Sequence, residues 1–235
     1  TRALNWFGRI VSEGGTSEVI DLMPKHKSMD AVMMSVSLNE DGSIEAKLRQ
    51  QYTNNIAFVF RNQYNKGTEE AFLDELEKEQ GDIEINDYKL DNNLDLGKPI
   101  VQTYDFYKED AFEAIAGKIY VSPLFHLAVQ ENPFKSESRE YPIDYGFPWE
   151  DKHIVTIQIP QGYKVEHLPE PISLALPEGL GKFTYNISAT NNQISLRVEM
   201  EVNASIFPPH YYQNLKELYR QVVEKEAEKV VLVKA

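Results

Sequence analysis

From Ala31 to Tyr52 the chain alternates apolar and polar residues on either side of a short break, Asn39-Glu40-Asp41-Gly42. Asp-Gly supplies the positive φ that a tight hairpin turn needs. In the second arm Ile44, Ala46, Leu48 and Gln50 interleave with Glu45, Lys47, Arg49 and Gln51, which is the two-residue period of a strand buried on one face. A mainly β chain is therefore expected, built from short strands punctuated by Gly, Pro and Asn.

Other extended segments follow from the same signals. Ser17 to Leu22 reads as an edge strand stopped at Pro24, and Ile83 with Ile85, Ile100 to Tyr107 and Ile119 to Val121 read as short strands, the first two separated by a loop from Asp91 to Pro99. Beyond residue 150, strands are expected at Ile154–Ile159 and Tyr163–Glu166. A long hairpin, Gly181–Ser188 and Gln193–Phe207, turns at Thr190, Asn191 and Asn192. Val230–Val233 supplies a last strand.

The period changes twice. Ile56, Val59, Phe60, Gln63 and Tyr64 share one helical face, although Ile56 to Phe60 also reads as a strand, and Gly67 stands where a helix stops. Thr68 has the character of an N-cap, with Glu69 and Glu70 at the positive end of the helix dipole and Phe72, Leu73 and Leu76 as an apolar stripe. A helical hairpin insert is expected near 55–80. Pro208 and Pro209 open a second helical pattern carrying Tyr212, Leu215, Leu218, Tyr219 and Val222, which places a C-terminal helix near 209–228.

Residues 131–151 are rich in Pro and aromatics and read as an ordered but irregular connection, because proline removes ladder donors and restrains the residue before it. It divides the chain into a β-rich half with the helical hairpin, 1–130, and a C-terminal β half with the closing helix, 131–235. The two halves are also compatible with one composite domain. The expected architecture is a pair of antiparallel sheets or a sandwich.

Within this frame the segment Asn132 to Lys135 (Asn-Pro-Phe-Lys), Arg139, Tyr141 to Asp144 (Tyr-Pro-Ile-Asp) and Ile159 to Pro169 (Ile-Pro-Gln-Gly-Tyr-Lys-Val-Glu-His-Leu-Pro) resembles a known family. The family is the C-terminal domain of unknown function that follows the catalytic core in many bacterial, envelope-associated transglutaminase-like proteins. Tyr211 to Tyr219 and the terminal Val-Val-Leu-Val-Lys look like its closing helix and strand. Leu4 to Trp6 and Gly8 to Val11 are similar to what such proteins carry just after their papain-like core. The resemblance implies an accessory role beside an upstream catalytic domain of the same chain, and export to the cell envelope, periplasmic or outer-surface. Its Cys, His and Asp core has no counterpart in these residues, so no catalytic position carries over.

Charge and residue inventory narrow the chemistry. The 24 basic and 37 acidic residues give a net charge of −13, which repels nucleic-acid phosphates and anionic lipid headgroups. Nine of the acidic residues lie between Thr68 and Asp87 against one basic residue, Lys78, which is the pattern of a solvated acidic helix face. There is no long apolar run for a membrane span, and Thr1 to Ile10 lack a secretory leader pattern. No cysteine is present, so thiol nucleophiles, disulfides and thiolate metal sites are excluded.

His26, His126, His153, His167 and His210 show no metal-pair spacing, and neither a Gly-x-Ser-x-Gly elbow nor a phosphate-binding Gly loop occurs. No metal, no cofactor and no catalytic residue is expected. The sequons at Asn186 and Asn203 are too short a motif to signify. The surface candidate is the aromatic run Tyr145, Phe147 and Trp149, which can stack on a glycan or anchor a protein, or else pin a connection to the core. The accessory reading carries a further expectation, an exposed apolar patch within residues 1–25.

Overall fold

The computed structural model describes residues 6–190 and 192–235; Leu4, Asn5 and Asn191, invoked above, lie outside the described residues. The chain is mainly β. In order, the first part holds β1 (Phe7–Val11), β2 (Ser17–Asp21), β3 (Ser28–Leu38), β4 (Ile44–Tyr52), α1 (Asn54–Tyr64), α2 (Glu69–Glu79), β5 (Glu84–Asp91), β6 (Ile100–Lys108), β7 (Glu113–Ile115) and β8 (Lys118–Val121). The second holds β9 (Ile143–Asp144), β10 (Trp149–Gln158), β11 (Tyr163–His167), β12 (Ile172–Ala175), β13 (Gly181–Ala189), β14 (Gln193–Val202), β15 (Ile206–Phe207), α3 (Tyr212–Glu226) and β16 (Val230–Lys234).

Eight strands form one large sheet in the order β12-β13-β14-β10-β3-β4-β6-β5. Its members come from both halves of the chain. The halves meet where β10 pairs with β3 in parallel, Trp149 opposite Ser28 through Gln158 opposite Ser37, while the other pairings in the sheet are antiparallel. A second, four-stranded sheet, β11-β16-β8-β7, likewise mixes early and late strands.

Alternation decides which face is covered. On β3, Val32, Met34 and Val36 point inward while Met33, Ser35 and Ser37 point out, and the same rule holds for Ala46 and Leu48 on β4 and for Val155 and Ile157 on β10. The inward residues merge with Ile119 and Val121 of β8, Leu232 of β16, and Leu215, Leu218 and Val222 of α3 in one buried cluster. The large sheet thus has the small sheet and α3 against one face, in the manner of a sandwich.

The helical hairpin covers the same face at the β4–β6–β5 end. Phe60 of α1 stacks on Tyr52 at 4.8 Å between ring centroids, and Phe72 of α2 meets Tyr88 at 6.1 Å. Thr68 caps α2 by accepting a hydrogen bond from the Ala71 amide at 3.2 Å. The acidic helix face stays in solvent, and α2 has no fully buried residue.

Two boundaries and some short strands depart from the sequence-based expectation. The irregular connection ends at Pro148, not Asp151. Pro148 donates no ladder bond, its carbonyl takes the Ser28 amide at 2.9 Å, and pairing begins with Trp149. The expected arm Gln193–Phe207 breaks after Val202, where Asn203 turns away to give its side-chain amide to the Gly179 carbonyl at 2.8 Å, and β15 pairs separately with β9. The strand β12 between Pro171 and Pro177 was not anticipated, because prolines on either side mask so short a run.

The connection itself is ordered by α3. The Asn132 side chain donates to the Lys216 carbonyl at 2.8 Å, Tyr212 donates to the Ser136 carbonyl at 2.7 Å, and Phe134 sets its ring edge-on to Tyr212 and Tyr219.

Candidate functional site

The aromatic run Tyr145, Phe147 and Trp149 lies where β9 hands over to β10. Gly146, at φ +77°, makes the bend, and its amide donates to the Asp144 carboxylate at 2.8 Å. The Tyr145 amide donates to the Ser205 carbonyl at 2.8 Å, which fixes the backbone. Its ring then meets Phe207 at 5.6 Å and Trp149 at 6.2 Å, both edge-on. Tyr145 and Trp149 pack on the buried cluster, and Phe147 is half-buried beside them. Two of the three rings therefore have protein rather than solvent against them.

A second group of residues was not anticipated as a group. At one end of the large sheet, alternation carries polar side chains inward in two adjacent rows: Asp151, Asp30 and Tyr52 in one, and His153, Gln50 and Gln102, with the apolar Val32 among them, in the next. The Gln50 amide donates to both carboxylate oxygens of Asp30, at 2.8 and 2.9 Å. Gln102 is buried and donates to Gln50 Oε1 at 2.9 Å and to the Tyr52 hydroxyl at 3.1 Å. From the covering layer Glu226 is buried and accepts the Val129 amide at 2.6 Å. His126 sets its ring edge-on to Phe106.

Low solvation perturbs every titrating member of this group. Burial pushes Asp30 up to about 6, against the Gln50 hydrogen bond. Burial pushes Asp151 up to about 8, helped by the charges of Asp30, Glu150 and Glu226. Burial raises Glu226 to about 7, opposed by the Val129 amide. Burial lowers His126 to about 4, with Lys108 and His153 adding to it, and lowers His153 to about 4. Near neutrality the histidines are neutral, while Asp151 holds its proton.

Such clustering is common at active sites but also arises in structural networks. Here Asp30 is matched by the Gln50 amide and Glu226 by the Val129 amide, and among the described residues no three His, Asp or Glu converge to hold a metal ion. Only Gln50 was legible as inward from the sequence, through its place in the alternation of β4. Asp30 precedes the arm as first delimited, and Asp151 fell in the supposed connection. His26, His167 and His210 are exposed and stand outside the group.

The third feature is the hairpin β1–β2. It forms its own two-stranded sheet, and within each strand all but one residue is exposed. Phe7, Val11 and Val19 stand 70%, 67% and 59% exposed, with Trp6 and Ile10 also open to solvent. The expected apolar patch within residues 1–25 is present in this hairpin.

Fold and surface together define a mainly β module with one large mixed sheet, a helical hairpin and a closing helix. Residues 117–232, just under half of the chain, match the family model described as a domain of unknown function with a solved structure, DUF3858. The matched stretch runs from β8 to β16 and so includes the connection and closing helix whose sequence suggested such a domain. No curated protein matches the chain. A solved structure described as a “putative protease” from Parabacteroides distasonis ATCC 8503 is similar over 42% of this chain at 17% identity, with a TM-score of 0.36. The likeness spans about a fifth of that longer chain, 19% of its length, and is too slight to define a shared fold.

Proposed function

We propose that this chain is a non-catalytic accessory module of a larger, envelope-located transglutaminase-like protein, and that the β1–β2 hairpin docks it on the catalytic domain, where it shapes access to that domain. The observation that carries this reading is the exposure of Phe7, Val11 and Val19, which share one face of the hairpin with Arg9, Ser17 and Asp21. Fully covering side chains of this kind stabilises an interface by about 1.5–3 kcal/mol each. An isolated two-stranded ribbon is marginal in water, and a covering partner supplies the missing third layer. The family match over 117–232 supports a module of the domain-of-unknown-function kind, and the resemblance of the opening segment to the exit of a papain-like core supports the parentage. With no thiol in the chain, the thiol chemistry of such a core falls to the partner domain.

The test is hydrogen–deuterium exchange of residues 7–21 in this chain alone and in the protein that also carries the transglutaminase-like core. Strong protection in the longer protein, lost on Phe7→Asp with Val11→Asp, is the expected result. Equal, fast exchange in both would refute docking through the hairpin.

A further inference from the structure

We propose that the uncovered face of the eight-stranded sheet is a binding site for a neutral oligosaccharide. The site is a trough of about 730 Å³ running across β10, β3, β4, β6 and β5, opposite the face that carries the core. Its concavity follows from side-chain length. Ser35, Ser37 and Thr156 on the two central strands form a shallow floor, while Lys47, Glu45 and Tyr107 rise on one side and Gln158 and Gln193 on the other. The register aligns them in two rows, with Thr156, Ser35, Lys47 and Asp105 in one and Gln193, Gln158, Ser37, Glu45 and Tyr107 in the next. The volume falls in the range of about 300–1,000 Å³ typical of small-ligand sites.

The lining chooses the ligand class. Hydroxyls and primary amides both donate and accept, and carboxylates accept, so the trough offers a dense mixed set of partners to a ligand whose own groups do both. Sugar hydroxyls have that property. Lys47 is spent on Asp105 at 3.0 Å, which leaves Glu45 and Asp87 as uncompensated charges and sets the site against phosphate, sulfate and other anions. Tyr107 offers an aromatic ring, and the register row just beyond the lining holds Ile154 and Met33, 39% and 52% exposed, between Arg197 and Arg49. These give the C–H faces of a pyranose an apolar surface beside the polar floor. An extended peptide recognised by strand addition needs an unpaired edge, and both edges of β3 and β10 are already paired.

The site is separate from Tyr145, Phe147 and Trp149 and from the β1–β2 hairpin, so it stands or falls independently of the docking reading. The experiment titrates the chain with maltotriose, cellotriose, xylotriose, chitotriose and, as the cationic alternative, tetralysine, by calorimetry and by ¹⁵N chemical-shift mapping. At least one trisaccharide is expected to saturate with a Kd of about 0.1–5 mM, with shifts centred on Ser35, Lys47, Thr156 and Gln158. Tyr107→Ala and Gln158→Ala are each expected to weaken that binding tenfold or more while leaving the urea midpoint in place. If Tyr107→Ala alone lowers the midpoint, Gln158→Ala decides. Absence of saturation by all four sugars, binding indifferent to the deciding variants, shifts centred elsewhere, or capture of tetralysine in preference to sugar would each overturn the proposal.

Discussion

Asp151→Asn is the substitution through which the interior carboxyl group can be tested most directly. In the folded chain Asp151 keeps its proton up to about pH 8, against an ordinary value of 3.8. Between those two values the folded state binds a proton that the unfolded state has released. Stability conferred by the group is whole below the ordinary value and is lost as pH rises through the folded one, at about 1.4 kcal/mol per pH unit. Asp30 and Glu226 act in the same sense, but their losses end near 6 and near 7. His126 and His153 act in the opposite sense, since their stabilising neutrality is lost as pH falls from 6.5 through about 4.

The interval from pH 7 to 8 therefore belongs mainly to Asp151 within this group, with a minor share from the last part of the Glu226 titration. Asparagine keeps the shape of the protonated acid and cannot ionise. Urea unfolding followed by tryptophan fluorescence, with Trp149 in the same strand as reporter, should show the wild-type chain losing about 1 kcal/mol over that unit of pH, since the slope eases as the folded pKa is reached. The Asn variant should lose almost none of it, so the difference between the two chains should grow with pH. Wild-type stability that is flat from pH 6 to 8, or parallel curves for the two proteins, would refute the claim that Asp151 is held protonated by its surroundings.

Two further outcomes follow from local geometry. Arg61 is buried and its guanidinium donates to the carbonyls of Asn92, Asn93, Asp95 and Lys98 at 2.8–3.1 Å, so Arg61→Ala should cost about 3 kcal/mol or more in thermal or urea unfolding. The same variant should open the 92–98 loop to limited proteolysis. At Gly181 a Cβ would stand 2.7 Å from the Glu201 carbonyl oxygen across the β13–β14 ladder and 2.9 Å from Leu176 Cδ1, so Gly181→Ala should destabilise by about 1–3 kcal/mol in chemical denaturation, as overpacked sites do.

What was legible in the sequence was what neighbours in sequence decide. The Asp41-Gly42 hairpin, the Thr68 cap and the helical stripe of Tyr212, Leu215, Leu218 and Val222 are read from local periods and turn chemistry, and each appears at its expected place. The parallel pairing of β3 with β10 joins segments more than a hundred residues apart, and no local signal specifies such a partner. The interior polar group was hidden for the same reason. Asp30, Asp151 and His153 become neighbours only once that pairing exists, and a lone Asp at the end of an apolar run looks like an ordinary strand terminus. Tyr145 and Trp149 were visible as aromatics, but whether a ring faces inward depends on Phe207, which lies far along the chain.

The β3–β10 seam also governs how the chain can be divided. A cut in the exposed part of the connection, near Glu137 to Glu140, would sever the backbone without severing the sheet, because a ten-residue ladder and the β8–β16 pairing still bridge the break. Expressed separately, by contrast, each piece would carry a long bare strand edge, the template on which chains pair with the wrong partners. The two pieces are thus expected to behave as complementary fragments, each prone to aggregate alone and to recombine with the other.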